Sequence, residues 1–399
     1  MNTSKKTKRY MMFGLLYFTQ GTVFSYFTAL NALYFLDNGL SMTDVGIFAS
    51  IAMIPFVIKV FFGMLSDKVN LFGAGHRKPY ILLGLFVQAV CLVVVPMINL
   101  ATGYWWFVAV AFVLQTGMAL YDTCTDGYAL DTTLPEDEST IQGFMVGGRA
   151  MGVILTASVV GLLAQHVSWS AVFWLLAALT LVPIPLVLRL QEAERTQERV
   201  FNWSAFAAFK DVKVISLGML GLLFFLIIAG SNQLMSPFLE QTFQLELSLI
   251  GYYTTLWGIG VVLGGVTGGW LIRKIGRKNG TLTAMAMAFV GVAGLSIIQS
   301  PGMAWPLVLI YGIAYGTNQT VYFSLAMGFT DKRIAASMFS ILMALTNIGQ
   351  GIGMAMAGLM ADGVGFRWTF FILAAMNVLA FFFLPQVFGK KKGLEPAGV

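Results

Sequence analysis

The stretch PFVIKVFFGMLSDKVNLFGAGHRKPYILLG, Pro55 to Gly84, is two apolar runs hinged on a polar, basic loop. One lysine, Lys59, interrupts the first run. The runs on either side are long enough for roughly 20-residue membrane spans. The same alternation continues in both directions. Of the 399 residues, 58% are hydrophobic and only 11% charged, with a mean hydropathy of +0.79. An ordinary soluble chain is about 25% charged. So few charges cannot cover so much apolar surface in water. The chain therefore reads as an all-α membrane protein.

Twelve spans are expected. The first six fall near 10–36, 42–66, 79–99, 103–129, 139–164 and 169–189. The last six fall near 214–239, 246–272, 280–299, 304–329, 334–361 and 366–387. The longest polar interruption, residues 191–213, divides a bundle at 1–190 from one at 214–399. Lysine and arginine cluster before span one and in the loops after spans two, six, eight, ten and twelve. Arg367 lies on the other side, and Lys59 and Arg149 lie within spans. The positive-inside rule then puts both termini in the cytoplasm. GMLSDK at 63–68 answers GWLIRK at 269–274, and FWLLAAL at 173–179 answers FFILAAM at 370–376. Parallel six-helix repeats are one route to a transporter with its site between the halves.

Gly63, Leu65 and Asp67, followed by Gly75, Arg77 and Lys78, resemble the loop signature of the major facilitator superfamily. Gly269, Leu271, Arg273, Gly276, Arg277 and Lys278 repeat it in the second half. The first copy departs from the pattern by the insertion KVNLFGAGH before Arg77. Lys59, eight residues before Asp67, and the RKPY that ends the loop resemble two branches of that superfamily. One is the anhydromuropeptide permeases and acetyl-CoA transporters, the other the folate–biopterin transporters. The resemblance implies alternating access, gating loops built from Asp67, Arg77, Lys78, Arg273, Arg277 and Lys278, and substrates bearing carboxylates, phosphates or flat rings.

Charges within spans are costly and default to functional candidates. Asp122 and Asp126, at i and i+4, share a face of span four with Gln115. Lys59 enters its span from the same side and reaches a similar depth, and Arg149 in span five, with Gln142 seven residues before it, comes near that layer. The expected role of Asp122, Asp126, Lys59 and Arg149 is a charge network that couples a proton to transport, with an ion-pair latch as the alternative for Asp126. Lys59 and Arg149 could also hold an anionic solute. Asp131 and the run Glu136, Asp137 and Glu138 read as a solvated loop face, with pairing of some of these acids to Arg77 or Lys78 as the alternative.

Polar residues inside other spans are candidates for solute binding. Span one offers Tyr17, Gln20 and Asn31 beside Phe24, and span seven offers Asn232 and Gln233. Tyr311, Tyr315, Asn318 and Tyr322 form one face of span ten, next to Gln319. Asn347 and Gln350 lie in span eleven. Such tyrosine–amide faces bind ring-bearing solutes or glue helices together.

Asp122 and Asp126 would suit a divalent metal in a membrane phosphotransferase, but DGYALD lacks the arginine and the second acidic pair that chemistry needs. An intramembrane protease would need a Gly-x-Gly-Asp that is not in the sequence. The chain is therefore not expected to be an enzyme. No nucleotide-binding loop, zinc spacing or histidine cluster points to a metal or a cofactor. The expected protein is a monomeric permease of the bacterial inner membrane, coupled to protons or sodium, with lipids and a small solute as partners and no nucleic acid. A receptor or assembly factor on the same fold is the alternative.

Overall fold

The computed structural model describes residues 3–133, 138–190, 192, 203–329 and 335–389. The expected basic residues Arg195, Arg199, Lys332, Arg333, Lys390, Lys391 and Lys392, with Glu136 and Asp137, lie outside the described residues. Glu138 and Gln142 are described in backbone only.

Each expected span falls on helix, and no strand occurs among the described residues. Helices α1 (Thr3–Ala29) and α2 (Asn31–Asp37) make span one, and α3 (Met42–Val57) and α4 (Lys59–Lys68) make span two. Spans three to five are α5 (Lys78–Val94), α6 (Tyr104–Thr132) and α7 (Glu138–His166). Span six is α8 (Trp169–Leu181) with α9 (Ile184–Leu188). A short α10 (Ser204–Ala207) precedes span seven, α11 (Val212–Phe243). Spans eight and nine run together as α12 (Leu247–Ser296), which breaks at Gly276. Gly276 takes φ 77°, a left-handed conformation that suits glycine, so the chain reverses there without a longer loop. Spans ten and eleven are α13 (Pro301–Phe329) and α14 (Ala335–Val364), and α15 (Phe366–Ala375) with α16 (Leu384–Phe388) makes span twelve.

Small residues set how closely these helices approach. Spans one and five touch backbone to backbone, where a Cβ on Gly21 would strike the Arg149 carbonyl and one on Gly152 would meet Phe18. In lipid such packing replaces the hydrophobic drive that holds soluble helices together. Spans two and eleven pack together, as do spans five and eight, and these two seams join the halves. The hydrogen bonds between described residues of the two halves run from Phe56, midway along span two, to Asp362 at the end remote from the basic loops. The halves are thus sealed from mid-bundle to the remote end.

Candidate transport site

Span two breaks at Ile58, one turn after Pro55, and helix resumes with Lys59. Proline inside a helix removes a donor and bends it, so Lys59 issues from a bend in mid-membrane. Its Nζ donates to Asp122 Oδ2 at 3.3 Å. The other oxygen of Asp122 accepts from Gln20 Nε2 at 2.9 Å. One turn along span four, Asp126 Oδ1 accepts from the Tyr17 hydroxyl. The two acids face spans one and two, as their i, i+4 spacing requires. The pair is unequal in access, since the Lys59 side chain is 32% exposed and that of Asp122 only 7%.

Arg149 differs from the other three. It is exposed, although it lies halfway along span five, and no carboxylate lies within ion-pair distance of it among the described residues. Its guanidinium lies 5.2 Å from the centroid of the Phe24 ring, a cation–π contact that fixes its direction. It is within electrostatic reach of Tyr17, Lys59 and Asp126 in its own half and of Tyr315 in the other. Gln20 Oε1 and Gln115 Oε1 are buried acceptors without a protein partner. The layer therefore holds one engaged cation, one unpaired cation, two acids and spare acceptors.

The face of span ten read as a solute-binding or helix-joining surface is packed inside the second half. Tyr311, Tyr315, Asn318 and Tyr322 are all buried within the second half. The Tyr311 hydroxyl donates to the Ile228 carbonyl at 2.8 Å, tying span ten to span seven, and the Tyr322 ring packs on Gly221. Gln233 Nε2 donates to the Met354 carbonyl at 2.9 Å, and Asn347 Nδ2 donates to the Phe56 carbonyl at 2.9 Å across the halves. Gln350 donates to Asn347 at 3.0 Å. Gln233 and Asn347 thus join helices, while the Gln350 bond stays within span eleven. Asn31, Asn232 and Asn318 keep buried atoms without a protein partner, and Tyr315 stacks edge-on against Trp257 at 5.2 Å.

The basic loop after span two is tightly built. Arg77 is only 4% exposed; it donates to Asp67 at 2.6 Å, Asp131 at 3.0 Å and Ser66 Oγ at 2.6 Å. Burial opposes its charge, but Asp67 and then Asp131 more than offset that and raise its pKa above the ordinary arginine value. Asp131, exposed on the last turn of span four, takes the expected alternative and pairs with Arg77. Lys78 Nζ donates to the Leu188 carbonyl at 2.6 Å. Arg273, Arg277 and Lys278 of the second copy are exposed.

Glu192 escaped the sequence reading. Its carboxylate accepts from the backbone N–H groups of His76 (2.7 Å), Arg77 (2.8 Å) and Lys78. These are the orphan donors at the start of span three, a natural anion seat. Gly75, at φ 124°, lies under that carboxylate, which leaves no room for a Cβ.

The sequence profile described as Major Facilitator Superfamily matches residues 13–344. The sialic acid transporter NanX of Escherichia coli is 22% identical over 309 residues, 74% of this chain and 73% of the relative. The anhydromuropeptide permease of Escherichia coli is 22% identical over 370 residues, 89% of this chain and 72% of the relative. In fold, the crystal structure of nucleoside transporter NupG is similar with a TM-score of 0.76 at 17% identity, over 98% of this chain and all of that one.

Proposed function

The chain belongs to the Major Facilitator Superfamily, whose members are multi-pass membrane transporters of small solutes and not enzymes, and from that premise we propose that it carries a small organic anion in symport with a proton. The observation that carries this reading is Arg149: an exposed guanidinium inside span five with no carboxylate at ion-pair distance among the described residues, yet within electrostatic reach of Asp126. A cation there is expensive unless an anion visits it. Arginine grips a carboxylate or phosphate through two parallel N–H donors. One relative is named for an acid, sialic acid, which agrees with an anionic solute.

Asp122 is the coupling residue in this reading. When Asp122 is ionised, Lys59 and Gln20 hold it. A proton taken up by Asp122 removes the attraction for Lys59 and frees that ammonium, while the anion neutralises Arg149. Spans one, two, four and five meet at this layer, so both events act on the same helix contacts. The bundles 1–190 and 214–399 rock about the two seams, with 191–213 as the tether, and a single chain supplies both. With the basic loops and both termini in the cytoplasm of a bacterial inner membrane, the sealed end is outer and the present conformation faces inward.

The test is a thermal-shift panel of muropeptides, sialic acid, pterins, folates, neutral sugars and nucleotides on the purified protein, followed by proteoliposome uptake under an imposed proton gradient. An acid that stabilises the wild type but not Arg149→Gln, and accumulates uphill only with the gradient, is the expected result. A neutral sugar stabilising both proteins equally would reject the anion reading.

A further inference from the structure

The two seams that seal the remote end match residue for residue. Across the seam of spans two and eleven, a Cβ on Gly358 would strike Met42 O and the Gly46 Cα, and one on Gly46 would strike Met354 O and the Ala355 Cα. In the seam of spans eight and five, Gly161 meets Leu247 O and the Gly251 Cα, and Gly251 meets Ala157 O and the Ser158 Cα. Ser50 Oγ donates to Gly351 O at 2.6 Å, and Thr255 Oγ1 donates to Ile154 O at 3.1 Å. Every pair maps onto its counterpart by one offset of 205 residues on spans two and eight, and one of 197 on spans five and eleven. Helices in such contact have no freedom to slide, so each seam opens by separating as a unit.

At the outermost position the symmetry holds in place but not in chemistry. Asp362, at the end of span eleven, accepts from Met42 N at 3.2 Å, Thr43 N at 2.7 Å and Thr43 Oγ1 at 2.6 Å. Its counterpart Gln165, at the end of span five, accepts one bond, from Leu247 N at 3.0 Å. Each side chain caps the first turn of a helix in the opposite half. A carboxylate is the stronger acceptor, and it also meets the positive end of the helix dipole.

We infer that Asp362 is the principal lock of the outer gate, with Gln165 its weaker counterpart, and that these cross-half caps set the balance between inward- and outward-facing carrier. Within span two the Ser41–Asp44 capping box already satisfies Ser41 N and Asp44 N, so Asp362 takes only the Met42 and Thr43 donors that remain. What it adds is attachment to the other half. The inference rests on alternating access but on no particular solute, so it can fail or hold apart from the anion assignment.

The test is a pulsed-dipolar distance measurement on the full chain in proteoliposomes. Spin labels replace Thr102 and Gly363, both exposed at the remote end, one in each half. The native Cys91 and Cys124 are buried. Asp362→Ala should move the equilibrium toward the long, open distance by roughly fivefold to thirtyfold, the effect of one lost cap. Asp362→Asn and Thr43→Val should shift it the same way by less, and Gln165→Ala by less than Asp362→Ala. Asp44→Asn, which removes a carboxylate from the same helix start without a cross-half bond, should leave it in place. Unchanged distances in both Asp362 variants would overturn the inference. So would an equal shift in Asp44→Asn, which would assign the effect to fraying of span two. Because Asp362→Asn and Thr43→Val are mild, a misfolded alanine variant does not end the test.

Discussion

Lys59 and Asp122 meet at 3.3 Å across spans two and four, the lysine one-third exposed and the aspartate buried. Removing the aspartate leaves a cation in a site built for a pair. Asp122→Asn should abolish uphill accumulation while leaving downhill exchange, read by uptake with and without a proton gradient. A broken buried pair costs about 3–5 kcal/mol and an exposed one about 1 at most, so a cost of about 1–3 kcal/mol is expected here. The double variant Asp122→Asn with Lys59→Gln should be more stable than Asp122→Asn alone, measured by thermal denaturation in detergent. Equal stability of the two would mean that the pair is not coupled.

Arg149→Lys keeps the charge and loses the fork. The expected result is a rise of about tenfold or more in KM for an anionic solute, with a larger loss for Arg149→Gln. Folding should be little affected by either, because the guanidinium is exposed and has no carboxylate at ion-pair distance among the described residues. A large drop in melting temperature with unchanged KM would make Arg149 a structural residue.

Gly21→Ala tests the scaffold that aims Arg149. The new Cβ would strike the Arg149 backbone carbonyl, and neither helix can yield cheaply. Overpacking of this kind costs about 1–3 kcal/mol. Gly21→Ala should therefore destabilise more than Arg149→Gln while impairing transport as well. Equal melting temperatures would show that the close approach of spans one and five is not needed.

Glu192→Gln removes the charge from the seat at the start of span three but keeps an acceptor, and Glu192→Ala removes both. A cap of this type is worth about 0.5–2 kcal/mol. The alanine variant should melt lower than the glutamine variant, and limited proteolysis should cut the segment after Leu190 faster. Identical cutting rates in wild type and Glu192→Ala would show that the carboxylate does not hold this segment.

The sequence made the spans, the repeat and the depth of Lys59 and Asp122 legible, because each depends on counting along one helix. It did not reveal what depends on neighbours. Tyr311 and Tyr322 share a helix face with Asn318, but a face does not say which helix covers it, and span seven does. Charge alone suggests that an acid near the end of span four could pair with Arg77 or Lys78, but not that Asp131 is the one Arg77 holds, 54 positions away. Glu192 sat in a polar interruption and gave no signal; only the turn ending at Gly75 brings the N–H groups of span three to it. Tyr17 and Gln20 read as polar groups for a solute, and that they hydrogen-bond the two aspartates depends on span four, which no count along span one reveals.

Among the described residues, two basic groups, Lys59 and Arg149, and two carboxyl groups, Asp122 and Asp126, share the mid-membrane layer. With all four ionised, their charges sum to zero. A full charge crossing the bilayer exchanges about 2.3 kcal/mol with each 100 mV of membrane potential. The empty carrier would turn over without that exchange, and a monoanion loaded with one proton would leave the sum unchanged. On the proposed symport, such a carrier would be electrically silent in both halves of its cycle. It would draw on the difference in proton concentration across the membrane and ignore the voltage.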